Sequence, residues 1–154
     1  MHCVFLDLQT FAQHINLDEI TGHVRHFTSY QATDQTQLLE RCKNADIVIT
    51  NKVVFDRQTL AQLPNLKLIC VAATGTNNVD IQAAKEHGIL VTNVKNYSNQ
   101  SVAQYVFAQL LSYFSRIEKH NTNVKQGLWQ AQPVFCLHDV GSEELANKTL
   151  GIVG

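Results

Sequence analysis

The sequence has few of the features that mark several classes of protein. It holds only two prolines, one methionine and one tryptophan in 154 residues. No apolar run approaches the roughly 20 residues that cross a bilayer, and the N-terminus lacks the basic flank and cleavage site of a secretory signal. Charged residues make up 16% and leave a formal net charge of -1, which gives no electrostatic attraction to nucleic acid or anionic membrane. These absences favour a globular cytoplasmic protein with no membrane or nucleic-acid partner.

Metal-binding and disulfide patterns are also missing. The four cysteines form no C-x-x-C pair, and Cys3 and Cys70 lie within apolar runs. This favours reduced, buried thiols over disulfides or a zinc site. The seven histidines are scattered, without further ligands at metal spacing. We therefore predict no metal site.

Short β-rich runs alternate with amphipathic helical stretches along the first part of the chain. Asp34, Asp56 and Asp80 each precede a helical pattern as N-caps. This alternation predicts an α/β fold, a flavodoxin-like parallel sheet with helices on both faces, over residues 1–98. The predicted strands are residues 3–6, 24–29, 46–50, 66–72 and 89–93.

The pattern changes after Asn93. From Ser101 onward, apolar residues three or four apart predict a long helix that continues in more polar form to about Gly127. Residues 148–154 (KTLGIVG) predict a new strand that ends on glycine. The dinucleotide-binding fingerprint G-x-G-x-x-G begins in this way, although one glycine alone is a weak signal.

Two segments that follow predicted strands suit an anionic ligand. In residues 72–80 (AATGTNNVD), the T-G-T turn can direct successive backbone N–H groups toward a carboxylate or phosphate. An equally supported alternative is a tight turn in which Gly75 only relieves steric crowding. Lys52, after the strand at 46–50, could supply a cation, although a lysine in such a position is more often a solvated surface residue.

Together, these segments resemble the D-isomer-specific 2-hydroxyacid dehydrogenase family. The similarity extends over essentially the whole chain, with specific matches at residues 66–80, 87–93 and 97–104 (YSNQSVAQ). Residues 127–130 (GLWQ) and 145–154 (LANKTLGIVG) resemble its glycerate dehydrogenase, or hydroxypyruvate reductase, branch. One departure is Gln104, where many members have glutamate.

The resemblance implies the N-terminal portion of a two-domain oxidoreductase. Such enzymes transfer a hydride between NAD or NADP and a small D-2-hydroxy acid or 2-keto acid. Residues 1–98 would form the flavodoxin-like substrate-binding domain. Residues 99–154 would form an interdomain helix and the first strand of a truncated Rossmann domain.

The resemblance also implies a substrate site. The backbone of Thr74, Gly75 and Thr76 would hold the substrate carboxylate. Lys52 would lie near the same anion, and Tyr97 would border the pocket.

The cofactor side of the site would be only partly present. Val102 would pack near the nicotinamide, and Gly154 would open the phosphate loop. The family's catalytic arginine, acidic residue and histidine match no residue of this sequence, so we assign no catalytic residue. We expect the chain alone to be inactive and to bind no cofactor by itself.

Two alternatives come from other functional classes. Apolar residues in the segment 101–154 would be left partly exposed, which favours a self-associating binding or assembly module, either a homodimer or a swapped arrangement. A stand-alone flavodoxin-like receiver or nucleotide-binding protein ranks last. Such a protein would need an acidic cluster beyond Asp7 or a complete phosphate loop.

Overall fold

The computed structural model describes residues 1–12, 15–138 and 140–153. The chain divides into two compact units, Met1–Tyr97 and Ser98–Gly154. None of the helices in the described ranges is long and apolar enough to cross a membrane.

The first unit is built on a five-stranded parallel sheet. The strands run in the spatial order β2-β1-β3-β4-β5, the order of flavodoxin-like folds. All four neighbouring pairs are parallel, which confirms the predicted fold class. The strands are β1 (His2–Phe5), β2 (His26–Ser29), β3 (Ile47–Thr50), β4 (Leu68–Val71) and β5 (Leu90–Asn93).

Short helices connect these strands. Two of the predicted N-caps make the expected bond: Asp56 accepts from the Thr59 N–H and Asp80 from the Ala83 N–H, each at 2.8 Å. Asp34 forms a capping box with Gln37. The helical segments of this unit are a 3-10 turn (Leu8–Thr10), α1 (Asp18–Thr21), α2 (Gln35–Cys42), α3 (Arg57–Ala61) and α4 (Ile81–Glu86).

Alternate strand side chains enter two apolar layers, one on each face of the sheet. On one face, Cys3, Phe5 and Ile49 are buried beneath the 3-10 turn and α1. Full burial of a side chain such as Phe5 contributes about 1.5–3 kcal/mol. The opposite layer packs against α2, α3 and α4, and its buried members include Val4, Leu6, Leu38, Val48, Leu60, Ile69 and Ala83.

The second unit contains two helices where the sequence predicted one. Helix α5 (Asn99–Ser115) and helix α6 (Ile117–Lys125) are separated by Arg116, whose φ of 49° is left-handed. A right-handed helix cannot continue through a left-handed residue, so the prediction of one continuous helix was wrong.

The predicted strand at residues 148–154 is not formed within the described part of the chain. The N–H of Lys148 donates to the carbonyl of Leu145 at 3.1 Å, which is a turn, and residues 148–153 pair with no described strand. A β-strand requires a neighbouring backbone for its hydrogen bonds, which an apolar pattern alone does not supply. Gly154 lies outside the described residues.

Candidate anion-binding site

Two loops leave the carboxyl edge of the sheet side by side. Strands β3 and β4 are paired in register, with Thr50 opposite Val71 at their ends. The β3 loop (residues 51–54) and the β4 turn (residues 72–79) therefore start next to each other. In open α/β sheets, ligands bind beyond this edge.

The buried side chain of Asp7 fixes the β3 loop. Its carboxylate accepts from the backbone N–H of Asn51 at 2.9 and 3.0 Å and from the backbone N–H of Lys52 at 2.7 Å. It also accepts from the hydroxyl of Thr50 at 3.1 Å, and that hydroxyl accepts from the Val53 N–H at 3.1 Å. The path of the backbone through Lys52 is thus set by a residue beyond the end of β1.

The β4 turn is tied to the β3 loop and to β5. The Asn78 side chain donates to the carbonyl of Val53 at 3.1 Å, and the Phe55 N–H donates to the carbonyl of Asn78 at 2.7 Å. On the other side, the Asn93 side-chain amide donates to the carbonyl of Thr74 at 2.7 Å. The turn is therefore held on both sides.

Several backbone donors of the β4 turn have no partner among the described residues. They include the N–H groups of Thr74, Gly75 and Thr76. Clusters of unengaged backbone N–H groups bind anions such as carboxylates.

Gly75 does not need a left-handed backbone, because the glycines with positive φ are Gly88 and Gly127. A Cβ at Gly75 would instead lie 3.1 Å from the Asn77 side-chain oxygen. The glycine therefore leaves room for Asn77 beside the turn.

Lys52 and Gly75 meet in one cavity. This lysine cavity has a volume of about 330 Å³. Lys52 is exposed, and its ammonium group forms no ion pair with any described residue. A cation without an ion-pair partner, in the same cavity lining as a residue with an unengaged backbone donor, suits a carboxylate. The cavity is lined by Asn51, Lys52, Val54, Ala73, Gly75, Asn77 and Asn78.

Tyr97 lies in an adjoining cavity. This tyrosine cavity has a volume of about 420 Å³ and shares Asn51 with the lysine cavity. The Asn51 side-chain oxygen is buried and has no hydrogen-bond partner among the described residues. An unpaired buried acceptor costs about 1–3 kcal/mol, and a ligand donor that reached this oxygen would remove that cost. The tyrosine cavity is lined by Thr10, Phe11, Ala12, Asn51, Ala72, Val94 and Tyr97.

The other two residues of the predicted turn, Thr74 and Thr76, do not line the lysine cavity. Thr76 lines a different cavity of about 470 Å³ beside β5, together with Asn93. Thr74 lines none of these three cavities. The structure thus places Lys52 and Gly75 at the lysine cavity and Tyr97 at the adjoining tyrosine cavity. Thr76 lines a different cavity.

The residues predicted for the cofactor belong to the second unit. Val102 lies on α5 and is 57% exposed. It borders a mostly apolar groove of about 710 Å³ between α5 and residues 150–153, whose members include Ser98, Val106, Phe107, Leu150 and Ile152. Gly154, the other predicted cofactor residue, is outside the described ranges.

Sequence reasoning missed three site residues. Asp7, Asn51 and Asn93 each fall at or just past the end of a strand, on the edge where the ligand loops lie. The rule that pointed to Lys52 could have found them by position. The hydrogen-bond partners of these residues could not be predicted from position, because the partners lie on other strands or loops.

Comparisons with known proteins give consistent results. Residues 6–146 match the catalytic domain of the D-isomer specific 2-hydroxyacid dehydrogenases. A hydroxypyruvate reductase of Blautia hydrogenotrophica is 39% identical over 136 residues, which are 88% of this chain and 42% of that protein. A glycerate dehydrogenase of Methylorubrum extorquens is 39% identical over 129 residues, which are 83% of this chain and 41% of that protein.

A solved structure shares the fold. The D-lactate dehydrogenase of Aquifex aeolicus, complexed with NAD and lactic acid, superposes with a TM-score of 0.67 at 23% identity. The match covers 94% of this chain and 41% of that one. The chain spans less than half the length of each of these relatives.

Proposed function

Since the chain belongs to the D-isomer specific 2-hydroxyacid dehydrogenase family, we propose that it forms the part of a nicotinamide-dependent oxidoreductase that binds the acid substrate. The resemblance predicted from the sequence is confirmed. The proposed substrates are small D-2-hydroxy acids and 2-keto acids of the glycerate and hydroxypyruvate type, the type named for two relatives.

The observation that carries this proposal is the lysine cavity. The carboxylate of a 2-keto acid would accept from the free N–H of Gly75 and lie near the ammonium group of Lys52, both of which line this cavity. The rest of a small acid would extend toward Asn51 and the tyrosine cavity. Backbone donors and a lysine cation hold a carboxylate without catalysing any bond change themselves.

The chemical step would depend on groups that this chain does not provide. The nicotinamide cofactor supplies or accepts the hydride at the 2-carbon of the acid when it is bound. The linings of the lysine and tyrosine cavities include no histidine and no carboxylic acid to move the accompanying proton. In the proposal, this chain therefore binds and orients the acid, and alone it transfers no hydride.

Binding can be tested by titrating the ¹⁵N-labelled chain with hydroxypyruvate. We expect amide shifts to concentrate at Gly75 and Lys52. Lys52→Ala should weaken binding about tenfold, the loss of one favourable charge contact. Lys43→Ala is the matched control, because Lys43 is an exposed lysine that pairs with Glu40 on α2.

Two results would contradict the proposal. One is the absence of shifts in the β4 turn, and the other is equal weakening by both lysine substitutions. A separate titration with NADH tests the expectation that the chain alone binds no cofactor. A micromolar fluorescence response would show that this chain binds the cofactor by itself.

A second candidate function is self-association through the second unit. Several large apolar side chains of α5 and the adjacent segment are exposed, among them Phe107 at 53% and Ile152 at 86%. Apolar surface in this amount favours burial against another molecule, and an isologous dimer is the commonest arrangement.

Light scattering tests this second candidate. A homodimer would have twice the monomer mass, and Phe107→Ser should shift the population toward monomer. Gln109→Ser, an exposed polar change on the same helix, serves as the control. A monomer at high concentration would rule the candidate out.

A further inference from the structure

We propose that Asp7 is a positioning residue that sets which groups of the candidate site can bind an anion. Its carboxylate occupies the backbone donors of the β3 loop, holds Lys52 at the lysine cavity and leaves the β4 turn as the place for a ligand carboxylate. The inference rests on the proposed function, because it concerns how the same site holds its acid.

The geometry shows that Asp7 is fully engaged. The residue is 4% exposed. Within its hydrogen-bonding reach lie the N–H groups of Asn51 and Lys52 and the hydroxyl of Thr50, at 2.7 to 3.1 Å. A buried carboxylate is stable only with such partners, and hydrogen bonds to an ionised group are the stronger kind.

The sheet order explains why Asp7 can do this. Strand β1 lies beside β3, with Phe5 opposite Ile49, and the Leu6 N–H donates to the carbonyl of Ile49 at 3.0 Å. This pairing carries the chain past the end of β1 alongside the end of β3. Asp7 therefore meets Thr50 at the end of β3 and the first two residues of the β3 loop, 43 to 45 positions away in sequence.

The two loops therefore differ in the donors that they offer to a ligand. The N–H groups of Asn51 and Lys52 already donate to the carboxylate of Asp7, and its negative charge disfavours a second anion at the same point. The N–H groups of Thr74, Gly75 and Thr76 in the β4 turn have no acceptor among the described residues. The β3 loop contributes Asn51, Lys52 and Val54 to the lining of the lysine cavity, and Lys52 is its cationic residue.

A matched control, Asp46, lies at the amino ends of the strands, opposite the ligand loops. Asp46 precedes β3 and accepts from the backbone N–H of His2 at 2.9 Å, and it also pairs with Lys67. Like Asp7, it is a carboxylate that joins the ends of β1 and β3. Its substitution removes similar bonds but lies at the amino end of β3, whereas both ligand loops follow the carboxyl ends.

The experiment compares Asp7→Asn with Asp46→Asn by amide hydrogen exchange and by hydroxypyruvate titration. In Asp7→Asn, we expect exchange at Asn51 and Lys52 to become about tenfold faster and hydroxypyruvate to bind about tenfold more weakly, as when one charge-assisted bond no longer fixes the loop. In Asp46→Asn, both quantities should stay at the wild-type value.

Unchanged exchange at Asn51 and Lys52 in Asp7→Asn would overturn the inference. Equal weakening of binding by Asp46→Asn would also overturn it, because the effect would then be general destabilisation. If the wild-type chain binds no hydroxypyruvate, the proposed function fails, while the exchange rates still decide whether Asp7 holds the loop. If Asp7→Asn does not fold, Thr50→Val is the milder variant: it removes the hydroxyl that joins Asp7 to Val53, and it should accelerate exchange at Val53.

Discussion

The side-chain amide of Asn93, at the end of β5, donates a hydrogen bond of 2.7 Å to the carbonyl of Thr74. Because a trans peptide is planar, the carbonyl of Thr74 and the N–H of Gly75 point in opposite directions. The bond therefore turns the Gly75 N–H away from Asn93. One side chain on the edge strand thus sets the orientation of a donor proposed to bind the ligand.

Asn93→Asp should weaken hydroxypyruvate binding by about tenfold, because a carboxylate cannot donate to the Thr74 carbonyl and repels it instead. Asn93→Ala should have a smaller effect, since it removes the bond without the repulsion. Titration followed by NMR measures both. Thr92→Ala, an exposed change one residue earlier on β5, is the control. Equal affinities in the two Asn93 variants and the wild type would disprove the role of this bond.

Asn51→Leu should reduce the preference of the chain for hydroxypyruvate over pyruvate. The oxygen of Asn51 is buried and has no partner among the described residues, so a ligand hydroxyl that reaches it would gain a hydrogen bond, and pyruvate has no such hydroxyl. The change removes the acceptor and puts an apolar side chain of similar size in its place. The measured quantity is the ratio of the two dissociation constants, with pyruvate as the internal reference. If this ratio stays the same, the ligand hydroxyl does not bind to the oxygen of Asn51.

Alkylation should divide the four free cysteines into two groups. Burial raises the pKa of the Cys3 thiol to about 11, with a further contribution from Cys70, and burial raises that of Cys42 to about 12. Because the thiolate is the reactive form, iodoacetamide at about pH 8 should modify the half-buried Cys70 and Cys136 first. Peptide mass spectrometry of timed samples tests this order. The unfolded chain, in which all four should react alike, is the control, and early modification of Cys42 in the folded chain would contradict the prediction.

The chain should lose stability in acid. Hydrogen bonds from the Lys67 side chain and the His2 backbone lower the pKa of Asp46, and those from the Thr59 backbone and side chain lower the pKa of Asp56. A carboxyl whose pKa is lower in the folded state binds fewer protons there than in the unfolded chain. Its contribution is therefore complete above the unfolded pKa of about 4 and is lost as the pH falls through the folded value.

Urea unfolding between about pH 2 and pH 6 measures this loss. Asp46→Asn should make the free energy of unfolding less dependent on pH over that range, because it removes one of the carboxyl groups whose pKa is lowered in the folded state. Added salt should weaken the Lys67 contribution, since that lysine is exposed. An unchanged pH dependence in Asp46→Asn would show that this carboxyl is not linked to folding.

Local chemistry explains why much of the first unit could be predicted. Asp56 and Asp80 each bond to the N–H three residues later, and the same short spacing is visible in the sequence. Asp34 likewise forms its capping box with Gln37, three positions on. The strands were found for a similar reason, because buried parallel strands need continuous apolar runs.

The second unit was harder to predict. Val106, Leu110 and Phe114 keep a helical spacing, and that spacing continues smoothly to Ile117. The pattern contains no glycine or proline at Arg116, where the backbone turns left-handed. Since arginine is rarely left-handed, only the three-dimensional structure could locate this break.

Local sequence patterns were enough to predict the α/β class, the starts of α2, α3 and α4, and the two loops that carry Lys52 and Gly75, because these depend on neighbours within a few residues. Which backbone donors stay unengaged depends instead on contacts between distant parts of the chain. Asp7 takes the donors of one loop from 44 and 45 positions away, and Asn93 orients the other loop from 19 positions away. Such bonds depend on which strands lie side by side, and strand order follows from packing of the whole sheet. The candidate site therefore depends on pairings that no single stretch of sequence contains.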